Sequence, residues 1–159
     1  MTSGKSSIGD LLANALNLKF FDLDSEIEKV EGLSIPEIFN EKGELFFRKK
    51  ESEVLNQILD LDSFVLATGG GTPCYGKNME AILTKSTHSF YLKLSISDLV
   101  ERISNESSSR PLVKNIPKEK LPEFVGKHLF ERSFFYEQAE RILDCSSCLL
   151  YTSPSPRDA

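Results

Sequence analysis

The chain has 159 residues, 40% of them hydrophobic and 27% charged, with a net charge of −5 at neutral pH. That length suits one domain with a real core, and the acidic balance argues against a general nucleic-acid binder. No apolar run approaches the roughly 20 residues of a bilayer-spanning helix. Three irregularly spaced cysteines, Cys74, Cys145 and Cys148, make no disulfide framework, so the expected location is the cytoplasm.

Residues Gly4-Lys5-Ser6-Ser7 end like a phosphate-binding loop, G-x-x-x-x-G-K-[ST], whose first glycine would precede Met1. Ile8, Leu11, Leu12, Ala15 and Leu16 then recur at helical spacing. Lys19 to Asp24 reads as a short buried strand ending in two carboxylates. Segments 25–30 and 34–40 read as helical, the second opened by Ser34, Pro36 and Glu37. Gly43 interrupts the pattern before a longer helix over 44–59. Residues 63–68 form an apolar strand followed at once by Gly69-Gly70-Gly71. Helix 78–84, strand 88–94 and a helix from Ser97, which reads as its cap, follow. A polar loop over 105–122 holds Pro111, Pro117 and Pro122 and reads as a mobile functional segment. A helix over 123–140 and a strand over 141–145 complete the pattern. Strands alternating with helices predict a three-layer parallel α/β sheet. Residues 147–159 carry no period and read as an unstructured, non-native tail.

The chemistry-bearing residues gather in a few places. A Gly-Lys-Ser turn entering a helix cradles phosphate oxygens with backbone N–H groups, with Lys5 over the phosphates and the Ser6 hydroxyl available to Mg²⁺. In a strand, Asp22 and Asp24 would face the same side, one to assist the metal and one to accept a hydroxyl proton. Arg48, flanked by phenylalanines, reads either as part of a charged helix face or as a planar clamp for a carboxylate. Three glycines after a buried strand imply unusual dihedrals or close approach of a ligand. Arg110 in the proline-bearing loop suits charge neutralisation on a transferring phosphoryl group, and Arg132 lies one turn from Tyr136. Cys145 and Cys148 form a C-x-x-C that reads as coincidence without a second pair, and His88 and His128 have no partner motif.

The order G-K-S, D-x-D, F-R-x-x-E, G-G-G, R-P-L and R-x-x-x-Y resembles the shikimate kinase family from Met1 to about Ser146. The stretches FFDLDSEIEKVEGLSIPEIFNEKGELFFRKKESEVL and FVLATGGGTP carry the resemblance most specifically. It implies a P-loop fold of the nucleoside-monophosphate-kinase type, a monomer, and transfer of the ATP γ-phosphoryl group to the 3-hydroxyl of shikimate. Gly4, Lys5, Ser6 and Ser7 would bind ATP, and Ser6 and Asp22 would hold Mg²⁺. Asp24 would orient or deprotonate the attacking hydroxyl. Arg48, Arg132 and the Gly69, Gly70 and Gly71 backbone would hold the substrate. Arg110 would close over the phosphates, and Arg102 would pack on adenine.

Against that pattern the chain reads as lacking the first, central strand and the last helix. This predicts a 1–146 domain with two half-sheets, poor folding and little kinase activity. Two rival readings are another small-molecule P-loop kinase, such as a gluconate kinase, and a non-catalytic remnant that only binds substrate.

Overall fold

The computed structural model describes residues 4–105 and 115–146. They form two compact units, Lys5–Ser89 and a second beginning at Phe90. In the first, helix α1 (Lys5–Leu16) leads to strand β1 (Phe20–Asp22), helix α2 (Leu23–Glu31) and the long helix α3 (Ile35–Leu59). Strand β2 (Val65–Ala67), a 3-10 turn (Thr72–Cys74) and helix α4 (Asn78–Lys85) follow. β1 and β2 pair in parallel, with Phe20, Phe21 and Asp22 opposite Val65, Leu66 and Ala67.

Local chemistry sets these boundaries. α3 begins in a capping box: Ser34 Oγ accepts from the Glu37 N–H at 3.3 Å, and Glu37 Oε2 accepts from the Ser34 N–H at 2.8 Å. Gly43, at φ +85° and ψ 167°, is not helical, so α3 is two helical segments meeting at a kink, the break the sequence predicts. The expected strand to Asp24 stops earlier. Asp22 is the extended N-cap of α2, and its Oδ1 accepts from the Ser25 N–H at 3.3 Å, drawing the chain into a helix at Leu23. Asp24 therefore stands in a helical first turn, not on a strand.

Phe21, Leu23, Ile27, Ile38, Phe47, Val54, Leu55, Ile58 and Leu59 make one buried core. α1 forms as its apolar spacing predicts, with Leu11, Leu12 and Leu16 exposed. The helix instead approaches β1 through its small residues. Ala13 is buried, and a Cβ on Gly9 would lie 2.5 Å from the Phe20 ring.

The second unit holds strand β3 (Phe90–Lys93), helix α5 (Ile96–Asn105), helix α6 (Leu121–Tyr136) and strand β4 (Arg141–Asp144). β3 and β4 pair in parallel. Leu94, Leu99, Ile103, Leu121, Val125 and Cys145 form its core. Ser95, not Ser97, starts α5: its Oγ accepts from the Asp98 N–H at 3.2 Å and donates to Asp98 Oδ2 at 2.9 Å. The expected loop ends in a 3-10 turn (Lys118–Lys120) that runs straight into α6. Its 106–114 portion, with Arg110, and the 147–159 tail, with Cys148, lie outside the described residues.

Among the described residues the strands make two two-stranded parallel sheets, β1 with β2 in the first unit and β3 with β4 in the second. No described helix is long and apolar enough to cross a membrane.

Replacing Ser34 by Ala removes one half of the α3 capping box. Urea unfolding is expected to show a loss of about 1 kcal/mol with an unchanged m-value.

Candidate active site

The first unit brings two clusters together through helix starts and turns. Gly4, at φ +82°, adopts a left-handed conformation that a glycine takes without strain, and the next residue opens α1. Lys5, Ser6 and Ser7 are thus the first turn of that helix, where N–H groups lack intrahelical partners and favour anions. Ser6 Oγ donates to Asp22 Oδ2 at 2.6 Å, tying α1 to the end of β1. Hydroxyl and carboxylate oxygens are the hard donors that Mg²⁺ takes, commonly with several waters retained. Ser6 and Asp22 therefore fit the metal expected from the sequence.

Asp24, two residues on, has its carboxyl pushed above the ordinary aspartate range. Burial is the main cause, and the negative charges of Asp22, Glu51 and Glu28 add to it. Lys5 opposes the shift, which puts the lysine within Coulombic reach of Asp24. A Cβ placed on Gly69 would stand 3.1 Å from Thr72 Oγ1, 3.4 Å from Asp24 Oδ1 and 3.6 Å from Glu51 Oε2. Gly69 therefore lies directly against the acidic group.

Arg48 is the second cluster's centre. Its Nη1 donates to Glu51 Oε1 at 2.8 Å, and the other carboxylate oxygen of Glu51 accepts from Thr72 Oγ1 at 2.8 Å. Glu51 is 1% exposed, so both of its oxygens are satisfied inside the fold. Asn78, also buried, anchors the turn from behind: its Nδ2 donates to the Thr72 carbonyl at 2.9 Å, and its Oδ1 accepts from Ser52 Oγ at 2.7 Å.

Of the two readings of the glycine triplet, the one by unusual dihedrals does not hold. None of Gly69, Gly70 and Gly71 has a positive φ. What Gly71 supplies is room, since a Cβ there would come within 2.7 Å of Arg48 Nη2.

Lys5, Ser6, Asp22, Asp24, Arg48 and Gly69–Gly71 all belong to this unit, with Ser7 exposed on α1. Arg102, in the last turn of α5, and Arg132, half-buried on α6, belong to the second. There His128 is held below its ordinary pKa by burial and by the charge of Arg132. Sequence reasoning missed Glu51, Thr72, Asn78 and Tyr75. Only Glu51 left a signal, the R-x-x-E spacing that puts it on Arg48's side of the helix.

A helix-start lysine, a Ser–Asp oxygen pair and an arginine framed by a glycine turn define a phosphotransferase of the P-loop kinase fold. The family model for shikimate kinase matches residues 1–149. The chain is 45% identical to the shikimate kinase of Flavobacterium psychrophilum, over 99% of this chain and 89% of that protein. It is 40% identical to that of Aquifex aeolicus, over 88% and 79%. The 1.7 Å crystal structure of the Bacteroides thetaiotaomicron shikimate kinase superposes with a TM-score of 0.85 at 32% identity, covering 91% of this chain and 81% of that one. The Acinetobacter baumannii enzyme in complex with shikimate gives 0.79 at 31% identity, over 89% and 77%. The chain belongs to the shikimate kinase family.

Two outcomes follow from this geometry. Because the folded-state pKa of Asp24 is raised, the native protein holds that proton to higher pH than the unfolded chain, and ionising the group lowers stability as pH rises through the window. Asp24→Asn is therefore expected to melt a few degrees above wild type at pH 7, the gain vanishing below the ordinary aspartate range. Gly71→Ala, which forces the guanidinium to move, is expected to lower stability by about 1–3 kcal/mol in denaturant titrations.

Proposed function

We propose that this protein transfers the γ-phosphoryl group of ATP to the 3-hydroxyl of shikimate. The observation that carries the reading is Asp24, a carboxylate of raised pKa held between the helix-start lysine and the Arg48–Glu51–Gly69 cluster. Phosphoryl transfer depends on positioning and charge neutralisation, with little covalent work for the protein.

In this reading Gly4, Lys5, Ser6 and Ser7 receive the nucleotide phosphates at the α1 N-terminus, Lys5 balancing their charge. Ser6 and Asp22 hold Mg²⁺, which when bound neutralises phosphate charge. Asp24 accepts a hydrogen bond from the attacking hydroxyl and takes its proton as the new oxygen–phosphorus bond forms and the γ-phosphorus bond to the departing ADP breaks. A carboxylate with a raised pKa is a stronger base than a solvated one. Arg48, with its edge towards the glycine turn, binds the substrate carboxylate with the Gly69–Gly71 backbone, and the family resemblance gives Arg132 a substrate-binding role. The family resemblance assigns Arg110 a phosphate-neutralising role and Arg102 an adenine contact. ATP is a substrate of the family, and these finer assignments rest on the family resemblance. We further propose a cytoplasmic monomer with no nucleic-acid or membrane partner, a reading supported by the acidic net charge and the sparse cysteines.

The reading is tested by ADP release dependent on added acceptor. Shikimate is expected to support turnover and gluconate is not, and Asp24→Asn lowers the shikimate-dependent rate by about 10²–10⁴-fold. Gluconate turnover exceeding that with shikimate would sink the assignment. The acid limb of kcat/KM is also expected to lie above the ordinary aspartate range, rising with pH as Asp24 ionises.

A further inference from the structure

Tyr75 directly follows the 3-10 turn that carries Thr72. The Arg48 Cζ lies 3.9 Å from the centroid of its ring, compared with 5.2 Å from the ring of Phe47. The Tyr75 hydroxyl donates to Glu44 Oε1 at 3.1 Å, and that same oxygen is 3.8 Å from Arg48 Nε. At the other end of the guanidinium, Nη1 is held by Glu51. Arg48 Nε is buried and makes no hydrogen bond.

These contacts divide the guanidinium's surfaces. An arginine donates hydrogen bonds in its plane and stacks through its faces, so an aromatic ring on a face leaves the in-plane donors available. Glu51 fixes one corner, but a single hydrogen bond leaves rotation about it. The stacked ring removes that freedom by fixing the plane. Tyr75 is itself 38% exposed, too open for a core anchor, and its ring is held from outside by Glu44.

We propose that Tyr75 is a positioning residue for carboxylate recognition: its ring, tethered by Glu44, fixes the plane in which the Nε–Nη2 edge of Arg48 meets the carboxylate of the substrate. The assignment rests on the shikimate reading above. It makes Tyr75 a determinant of acidic-substrate affinity that acts through Arg48, without itself taking part in phosphoryl transfer.

The test compares wild type with Tyr75→Leu and Tyr75→Phe. Tyr75→Leu is expected to raise KM for shikimate by about five- to ten-fold, as befits a lost cation–π stack at a half-desolvated site. KM for ATP and kcat change by less than about two-fold. Tyr75→Phe, which keeps the ring and loses only the Glu44 bond, recovers most of the affinity. Inhibition by the neutral carboxamide analogue of shikimate is equal in wild type and Tyr75→Leu. An unchanged KM for shikimate in Tyr75→Leu, or an equal loss for the carboxamide or for ATP, overturns the assignment. The ring-current shift of the Arg48 Nε–H resonance, present in wild type and absent in Tyr75→Leu, reads the stack without substrate. Absence of that shift in wild type also overturns it. Wild type that shows the shift but transfers nothing to shikimate overturns the functional reading and the carboxylate role with it. Normal wild-type turnover with no KM response overturns the Tyr75 assignment alone.

Discussion

A single buried carboxylate organises the candidate site. Glu51 reaches from α3 to Arg48 with one oxygen and to Thr72 with the other. A charge so enclosed is tolerable only with its lone pairs matched, and removing one partner of such a pair costs about 3–5 kcal/mol. The glycine turn is therefore bound to the arginine's helix. Thr72 fixes the turn's start, Asn78 fixes its backbone, and Gly71 admits the guanidinium that Glu51 holds. Loosening any of these contacts would leave Arg48 free to sample orientations that no planar ligand matches.

The acidic side of the site follows a different logic. Asp22, Glu28 and Glu51 lie close enough to Asp24 for each to raise its pKa, and the Lys5 cation opposes them. Such a cluster stores electrostatic tension that a bound cation or a donated hydroxyl relieves. Asp22 is already engaged by Ser6 and by its capping bond to Ser25. In the proposed reaction that division gives the two neighbouring carboxylates separate tasks, Asp22 structural and metal-directed, Asp24 proton-accepting.

Much of this was legible in the chain. The Ser34–Glu37 capping box, the break at Gly43 and the alternation of strands with helices follow from local rules, and each stands where those rules put it. The proposed site residues Lys5, Ser6, Asp22, Asp24, Arg48 and Gly69–Gly71 are likewise read from the chain, because residue type and spacing carry the family's pattern. The failures have identifiable causes. Apolar periodicity marks α1 as a helix but not its contact face, and the helix docks through Gly9 and Ala13, where small side chains allow close approach to Phe20. The D-x-D spacing suggested a strand, but the capping bond of Asp22 turns the chain into a helix first.

Sequence alone determined the secondary-structure alternation, the family and the identity of the charged groups, since these depend on residue type and on neighbours a few positions away. Tertiary structure decided how those groups are used. Glu51 meets Thr72 across 21 positions, Tyr75 meets Glu44 across 31, and the steric need for Gly71 appears only when Arg48 folds against it. Contacts of that span depend on how helices and turns pack, and no local pattern of residues encodes the geometry in which two distant side chains share one proton or one ring face.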